Sequence, residues 1–437
     1  MEHRYPESPV FYRRLDRAFP LAVRAEGCWI EDETGKRYLD AVGGAFVVNS
    51  GHGVAEIAAA MGEQAARLAY VNGTQFTHAA AEELAAELAE ILPAPLHFSY
   101  FLGSGSEAVE AAVKLARQVQ VERGRITKWK VVSRVPSYHG NTLAALALSG
   151  REHYRKTYGP LMIDFPRFPA PDPYRHPDSA ASTGEALAQV IAREDAETIA
   201  AVVIEPIGGS STGAVVPSDE YHRRIAELCR QHDILLIADE VLTGAGRTGR
   251  WFAFQHYDGF VPDIVVLGKG INGGYAPLSA VAATRAVVET VARGAGAFNH
   301  AQTYSHSPLI CSAAVANLRH LKRHRLVERC AEMSSPFFAA LSRLAAHPAV
   351  GDVRGKGLLA GVELVADRAS KRPFPRRERV AERVTERAFA EGLLVWPNVG
   401  HVDGTDGDIL MLAPPFTVTA GEIDEIAGRL GRALAAI

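Results

Sequence analysis

Three short segments combine residue types that chemistry needs with a spacing that leaves them available. The first is Gly268-Lys269-Gly270, directly after the apolar run Ile264 to Leu267. A lysine there, between glycines, sits where a bound molecule can lie. Desolvation and nearby cations lower the pKa of such an amine and make it nucleophilic. The second is Asp239-Glu240, at the end of the apolar run Ile234 to Ala238. Parallel sheets bind ligands beyond the carboxyl ends of their strands, so a carboxylate there can face a bound heterocycle. The third is Gly103-Ser104-Gly105-Ser106, which opens the helical pattern through Arg117. A Gly/Ser turn at a helix start offers free N–H groups, hydroxyls and the positive end of the helix dipole to a phosphate. Singly, each segment also reads as ordinary structure: a turn lysine, a surface or capping acid, a capped helix start.

Together they specify more. A phosphate cradle, a carbonyl-reactive amine and an acid that keeps a pyridine nitrogen protonated are the three requirements of pyridoxal 5′-phosphate (PLP).

These residues need rigid elements beneath them. Short apolar runs suited to strands occur at Val131 to Val135, Ala201 to Ile204, Ile234 to Ala238, Ile264 to Leu267 and Ser279 to Ala283. Helical patterns such as Ser106 to Gln118 and Asp219 to His232 lie between several of them, which predicts an α/β architecture with a mostly parallel sheet. The ends differ. A hairpin is predicted from Cys28 to Leu39, a strand at Gly357 to Leu364, a helix at Glu378 to Glu391, a strand at Leu393 to Trp396 and a closing helix at Thr419 to Ala435. They suggest a smaller α+β lobe built from both termini. The predicted division is 1–60 for the N-terminal part of that lobe, 61–325 for the large body and 326–437 for its C-terminal part. The proline-rich stretch Phe165 to Pro177 reads as an ordered surface loop.

The order of these segments resembles the class III aminotransferases of PLP fold type I. The matching text runs from Gly35-Lys36-Arg37-Tyr38-Leu39-Asp40 to Ala413-Pro414-Pro415-Phe416. It includes Ser137-Tyr138-His139-Gly140-Asn141-Thr142, Ile204-Glu205-Pro206, Asp239-Glu240-Val241 and Thr303-Tyr304. The resemblance implies a large sheet of the seven-stranded type and assigns roles. Ser104, Gly105 and Ser106 would hold the phosphate. Tyr138 would stack on one face of the pyridine ring with His139 beside it, and Val241 would pack the other. Asp239 would pair with the ring nitrogen, supported by Glu205. Lys269 would carry PLP as a Schiff base and shuttle the substrate proton. Thr303 would reach the phosphate of a neighbouring subunit, which implies a homodimer or larger homo-oligomer with shared sites. The expected substrates are an ω-amino acid or primary amine and a keto acid. Decarboxylase, racemase or aminomutase chemistry stays open as an alternative, because fold and cofactor do not select among them. A non-enzymatic PLP-binding protein would usually carry a basic DNA-binding appendage or lack the lysine. This chain has Lys269 and no such appendage.

Departures from the family's patterns bear on substrate. Asn141 stands where 4-aminobutyrate enzymes place an arginine, and Met411 where ornithine-type enzymes place one. Trp396 occupies the segment in which amine:pyruvate-type members use a mobile arginine. Without a guanidinium, bidentate pairing to a substrate carboxylate is lost. Phe46, Phe76 and Trp396 are expected to line the substrate pocket, with a core role as the other reading of the two phenylalanines.

Composition excludes several classes. With 47 basic and 50 acidic residues the formal charge is −3, which gives no electrostatic case for nucleic acid or an anionic membrane. Cys28, Cys229, Cys311 and Cys330 form no CxxC pair, which together with an N-terminus lacking an apolar leader run predicts a cytoplasmic protein. No stretch approaches a membrane span. Asp403 to Asp408 resembles a calcium-loop fragment but lacks its later glutamate, so no metal is expected. His300 and His306 flank the Thr303 loop and read equally as substrate contacts or as structural residues, while Arg247 and Arg354 read as interface or fold residues.

Overall fold

The computed structural model describes residues 3–435 and 437. Its centre is a seven-stranded sheet. From edge to edge the strands are Leu96–Leu102, Ser279–Thr284, Ile264–Leu267, Leu235–Asp239, Ile199–Ile204, Lys130–Val135 and Arg167–Pro169. Only Ser279–Thr284 runs against its neighbours. The parallel strands are nearly continuous apolar runs because helices cover both faces. All six residues of Ile199–Ile204 are buried, and each large aliphatic side chain among them stabilises the fold by roughly 1.5–3 kcal/mol.

The apolar runs predicted as strands are strands, with ends moved by one or two residues. The helices Gly105–Glu122 and Asp219–Gln231 stand where helical periodicity placed them. The proline-rich stretch contains one short strand, Arg167–Pro169, paired parallel to Lys130–Val135. It is the sheet edge, where a proline breaks no central ladder.

Two four-stranded sheets come from the ends of the chain. In one, Ala22–Glu26, Trp29–Asp32 and Arg37–Asp40 are joined by the two-residue strand Leu393–Leu394, which pairs parallel to Arg37–Asp40. The other orders Val350–Lys356, Leu359–Leu364, Asp408–Leu412 and Trp396–Val399. The single strand predicted at Leu393 to Trp396 is therefore two strands in two sheets. The chain leaves the N-terminal sheet at Val395 and turns to pair antiparallel with Asp408–Leu412. The strand Val350–Lys356 was not predicted, and Gly357-Leu358 belongs to the turn that follows it.

Arg247 is a fold residue. It is buried and donates from Nη1 to the carbonyls of Leu358 and Pro414 and from Nη2 to Asn49 Oδ1 at 2.5 Å. The four cysteines are buried and unpaired. Asp403 Oδ1 accepts the N–H groups of Thr405 and Asp406, so that loop is closed on itself. Among the described residues no helix is long and apolar enough to cross a membrane.

Candidate active site

Lys269 follows the strand Ile264–Leu267 and opens a single 3-10 turn, with a positive φ of 45°. A non-glycine residue there is strained by roughly 1–2 kcal/mol, a cost typical of functional sites. The glycines around it are required by close packing. A Cβ on Gly270 would lie 2.1 Å from Asn49 Nδ2, which is itself tied to the Ala245 carbonyl. Burial pushes the Lys269 amine down to about 8, and the Arg151 charge acts the same way. Asp239 and Glu205 oppose them. The ammonium nitrogen lies 5.6 Å from the centre of the Phe46 ring.

Asp239 ends the neighbouring strand and is buried. Its Oδ2 meets His139 Nδ1 at 2.7 Å, and its Oδ1 accepts the Val241 N–H at 3.0 Å. The other ring nitrogen of His139 is buried without a hydrogen-bond partner among the described residues. Glu240, the next residue along, points away into the core. It accepts from Thr243 Oγ1 at 2.5 Å and the Phe254 N–H at 2.8 Å, and burial raises its pKa to about 7. Glu205, just past Ile199–Ile204, accepts the Gly209 N–H at 3.1 Å and lies 3.5 Å from Arg134. Burial raises its pKa, against the charges of His139 and Arg134.

The phosphate-type turn is built as its sequence suggests. Ser104 caps the helix Gly105–Glu122, its hydroxyl accepting the Glu107 N–H at 3.3 Å. Ser106 Oγ donates to Asn141 Oδ1 at 2.9 Å and accepts the Asn141 N–H at 3.0 Å. A Cβ on Gly105 would lie 2.9 Å from Val241 Cγ1, so glycine is what lets Val241 pack against the helix start.

These parts enclose one pocket of about 190 Å³, lined by Gly105, Ser106, Tyr138, His139, Glu205, Asp239, Val241 and Lys269, with Ile207, Ser210 and Thr243 among the others. Ser104 serves it from the helix cap. Phe46 is buried beside Lys269 and packs on Trp396, ring centres 5.7 Å apart. Phe76 is not with them in this chain. It is 64% exposed and lines a separate cavity with His78, Phe98 and His306. Thr303 is also exposed, on the loop before the helix Pro308–Arg323. Its neighbour Gln302 faces Gly103. His306 packs against Tyr100 and Phe101 and accepts at its carbonyl from His78, while His300 meets Lys114, so both histidines are held by the fold. Met411 is fully buried, opposite Gly361 and Trp396 in its sheet.

The family model for class III aminotransferases matches residues 11–434. The chain belongs to the class III aminotransferases. An uncharacterized aminotransferase of Bacillus subtilis, YodT, is 39% identical over 429 residues, covering 97% of this chain and 96% of that one. The hypotaurine/taurine–pyruvate aminotransferase of Paracoccus denitrificans is 36% identical, covering 94% and 90%. The crystal structure of a thermostable (S)-enantioselective omega-transaminase from Thermomicrobium roseum superposes with a TM-score of 0.89 at 38% identity, covering 96% and 93%. This aminotransferase is thus a fold type I enzyme that uses PLP to transfer amino groups between amines and keto acids. The pocket fits that cofactor. It offers an amine with a lowered pKa, a buried acid, a buried ring nitrogen without a partner among the described residues and a helix start that carries no Cβ at Gly105.

Sequence reasoning did not single out Arg151, Ile207, Ser210 or Ser211. Arg151 stacks on the Tyr138 ring at 4.8 Å, with Ser210 and Ser211 as its hydrogen-bond acceptors.

Proposed function

We propose that this aminotransferase takes its amino group from a primary amine with apolar bulk, or from an ω-amino acid, and passes it to a keto acid. The observation that carries this reading is the aromatic pair at the reactive lysine, with Phe46 beside Nζ and packed on Trp396. Apolar walls favour hydrophobic substituents over charged ones. The names of the relatives from Thermomicrobium and Paracoccus, an omega-transaminase and a hypotaurine/taurine–pyruvate enzyme, support amino groups remote from an ordinary α-amino acid.

Bound at this site, PLP supplies the electron sink that stabilises the charge left when the substrate carbon loses a proton. Lys269 would hold the cofactor and then, as a largely desolvated amine, move that proton at the substrate carbon. Asp239 would face the ring nitrogen, with His139 fixing its carboxylate from the other side and Glu205 beside them. Tyr138 and Val241 would cover the two ring faces. Gly105, Ser106 and the Ser104 cap would meet the phosphate. Thr303 would complete that anchor in a partner subunit, making the active unit a homodimer at least. Its exposure in the single chain supports this. We place the small lobe at 1–60 and 326–437 around a body at 61–325. The protein is assigned to the cytoplasm on its four unpaired thiols.

The test is a panel of amine donors against pyruvate and 2-oxoglutarate, with products separated. Recovery of donor nitrogen in the amino acid made from the acceptor supports transamination. Release of carbon dioxide or inversion of the donor without transfer would overturn it. First rank for 4-aminobutyrate or ornithine by more than tenfold in kcat/KM would overturn the apolar reading.

A further inference from the structure

Arg151 is a half-buried cation beside the pocket that forms no ion pair among the described residues. Its guanidinium donates from Nε to Ser211 Oγ at 2.9 Å and from Nη2 to Ser210 Oγ at 2.7 Å. Its flat face lies over Tyr138, 4.8 Å from the ring centre. These partners are neutral, and Arg151 forms no ion pair with a carboxylate among the described residues. Three other arginines with largely covered side chains have carboxylate partners. Arg134 pairs with Glu205, and Arg175 and Arg354 share Glu363. Arg247, fully buried, also has neutral partners only, but all three are fold oxygens away from the pocket lining.

The position matters as much as the missing partner. Of the three residues that hold Arg151, Tyr138 and Ser210 line the pocket of Lys269. A guanidinium has five N–H donors in a rigid fork. The two serines use two of them, and Nη1 has no hydrogen-bond partner among the described residues. Desolvation pushes the pKa of Arg151 down, while Tyr154, Tyr138 and Glu205 oppose it, and no ion pair among the described residues holds the guanidinium. A planar fork fixed by an aromatic floor and two hydroxyls is pre-organised for a carboxylate. Another cation near this wall is Arg13. It is exposed, and its one side-chain hydrogen bond among the described residues is to the Tyr154 hydroxyl, at 3.5 Å.

We propose that Arg151, fixed by Ser210, Ser211 and Tyr138, is the subsite that receives the carboxylate of the keto-acid acceptor. The proposal rests on the transaminase reading of the pocket and names the group that gives it acid specificity. The donor, which needs no carboxylate, faces the Phe46 and Trp396 side.

The experiment compares two acceptors that share a reacting carbonyl, pyruvate with its carboxylate and propanal without one. Holoenzyme, Arg151→Met, Arg151→Lys and Arg13→Met are assayed with one primary amine donor. The readout is the ratio of kcat/KM for pyruvate to that for propanal, which cancels any damage common to both reactions. The ratio falls ~30-fold in Arg151→Met, as expected for a lost charge-assisted hydrogen-bond pair, recovers in part in Arg151→Lys, and moves less than ~3-fold in Arg13→Met. A second readout needs no turnover. Propionate, which cannot react, is titrated against the absorbance of the bound cofactor, and its Kd rises by a similar factor in Arg151→Met. An unchanged ratio with unchanged propionate binding would overturn the proposal, since a merely structural arginine would lower both acceptors together. A fall in Arg13→Met alone would overturn it as well. If the wild type aminates neither acceptor, the transaminase reading fails instead, and the propionate titration still decides whether Arg151 is an acid subsite.

Discussion

The reactive amine can be tested in the protein stripped of cofactor, where its own electrostatics are exposed. An amine at the ordinary value of 10.5 is ~0.03% neutral at pH 7, and one at about 8 is ~9% neutral, a ~300-fold gain in nucleophile. Burial is the main cause, because it penalises the ammonium. The Arg151 charge adds to it, while Asp239 and Glu205 pull the other way. Apoprotein is labelled to low extent with a small amine-specific acylating reagent from pH 6 to 11, and the Lys269 peptide is quantified by mass spectrometry. Half-maximal reactivity is expected at pH about 8. Asp239→Asn removes the strongest opposing charge, so the midpoint falls further. The same shift has a stability counterpart. The folded pKa lies below the unfolded one, so between about pH 8 and 10.5 the unfolded chain holds more protons. The Lys269 contribution to stability therefore rises with pH across that window, by at most ~3 kcal/mol. Lys269→Met removes this slope, and the gap in melting temperature between the two apoproteins should change over that range. A labelling midpoint at pH 10 or above, or a midpoint raised by Asp239→Asn, would refute the reasoning.

Asp239→Asn in the holoenzyme should retain cofactor yet lose at least ~100-fold in kcat, since one preorganised charge contact is commonly worth ~3 kcal/mol of barrier. Near-normal turnover would remove Asp239 from its role. Gly105→Ala brings a Cβ to 2.9 Å from Val241 Cγ1. It should weaken cofactor binding by roughly tenfold, as measured by the cofactor Kd, and Val241→Ala in the same chain should restore most of it. Mixing Lys269→Ala with Thr303→Ala subunits should regenerate activity, because a hybrid dimer with shared sites has one site free of both defects. No recovery despite proven subunit exchange would place Thr303 in its own chain's site.

Legibility from sequence followed locality. Lys269, Asp239 and the Ser104 to Ser106 turn were readable because each stands at the end of an element whose apolar pattern announces it. The two glycines around Lys269 were visible, but not the Val241 and Asn49 side chains that make them necessary. Val350–Lys356 escaped because its alternation is interrupted by Gly351 and Gly355 and its residues are only half-buried. Phe76 was assigned by resemblance, and in one chain it faces another cavity. Arg151 had no local signal. It follows a short helix, Leu143–Leu148, and a return in which the Gly150 N–H meets the Ser137 carbonyl at 3.1 Å. That return lays the guanidinium over Tyr138, thirteen positions earlier, a contact that no periodicity encodes.

The loop after Glu205 explains how distant parts of the chain meet at this pocket. On its pocket side, Gly209 donates to Glu205, and Ser210 and Ser211 accept from Arg151. On its other side, Asn398 donates to the Ser211 carbonyl at 3.3 Å and Arg354 to the Thr212 carbonyl at 2.9 Å. Both outer donors belong to the C-terminal sheet. Arg354 is fixed in turn by Glu363, which also meets Arg175 and His401. Burial would raise the pKa of Glu363, but the His401 hydrogen bond and the Arg354 charge hold it below the ordinary carboxylate range. Breaking one member of such a buried network leaves a charge uncompensated, so the members hold their places together. A Cβ on Gly213 would meet Ile409 at 2.5 Å, so the loop also packs directly on that sheet. The serines that orient Arg151 are thereby anchored by the small sheet, while Tyr138, on which Arg151 stacks, follows a strand of the large one. The wall beside Lys269 therefore depends on how those two sheets are docked, although neither Arg354 nor Asn398 lines the pocket.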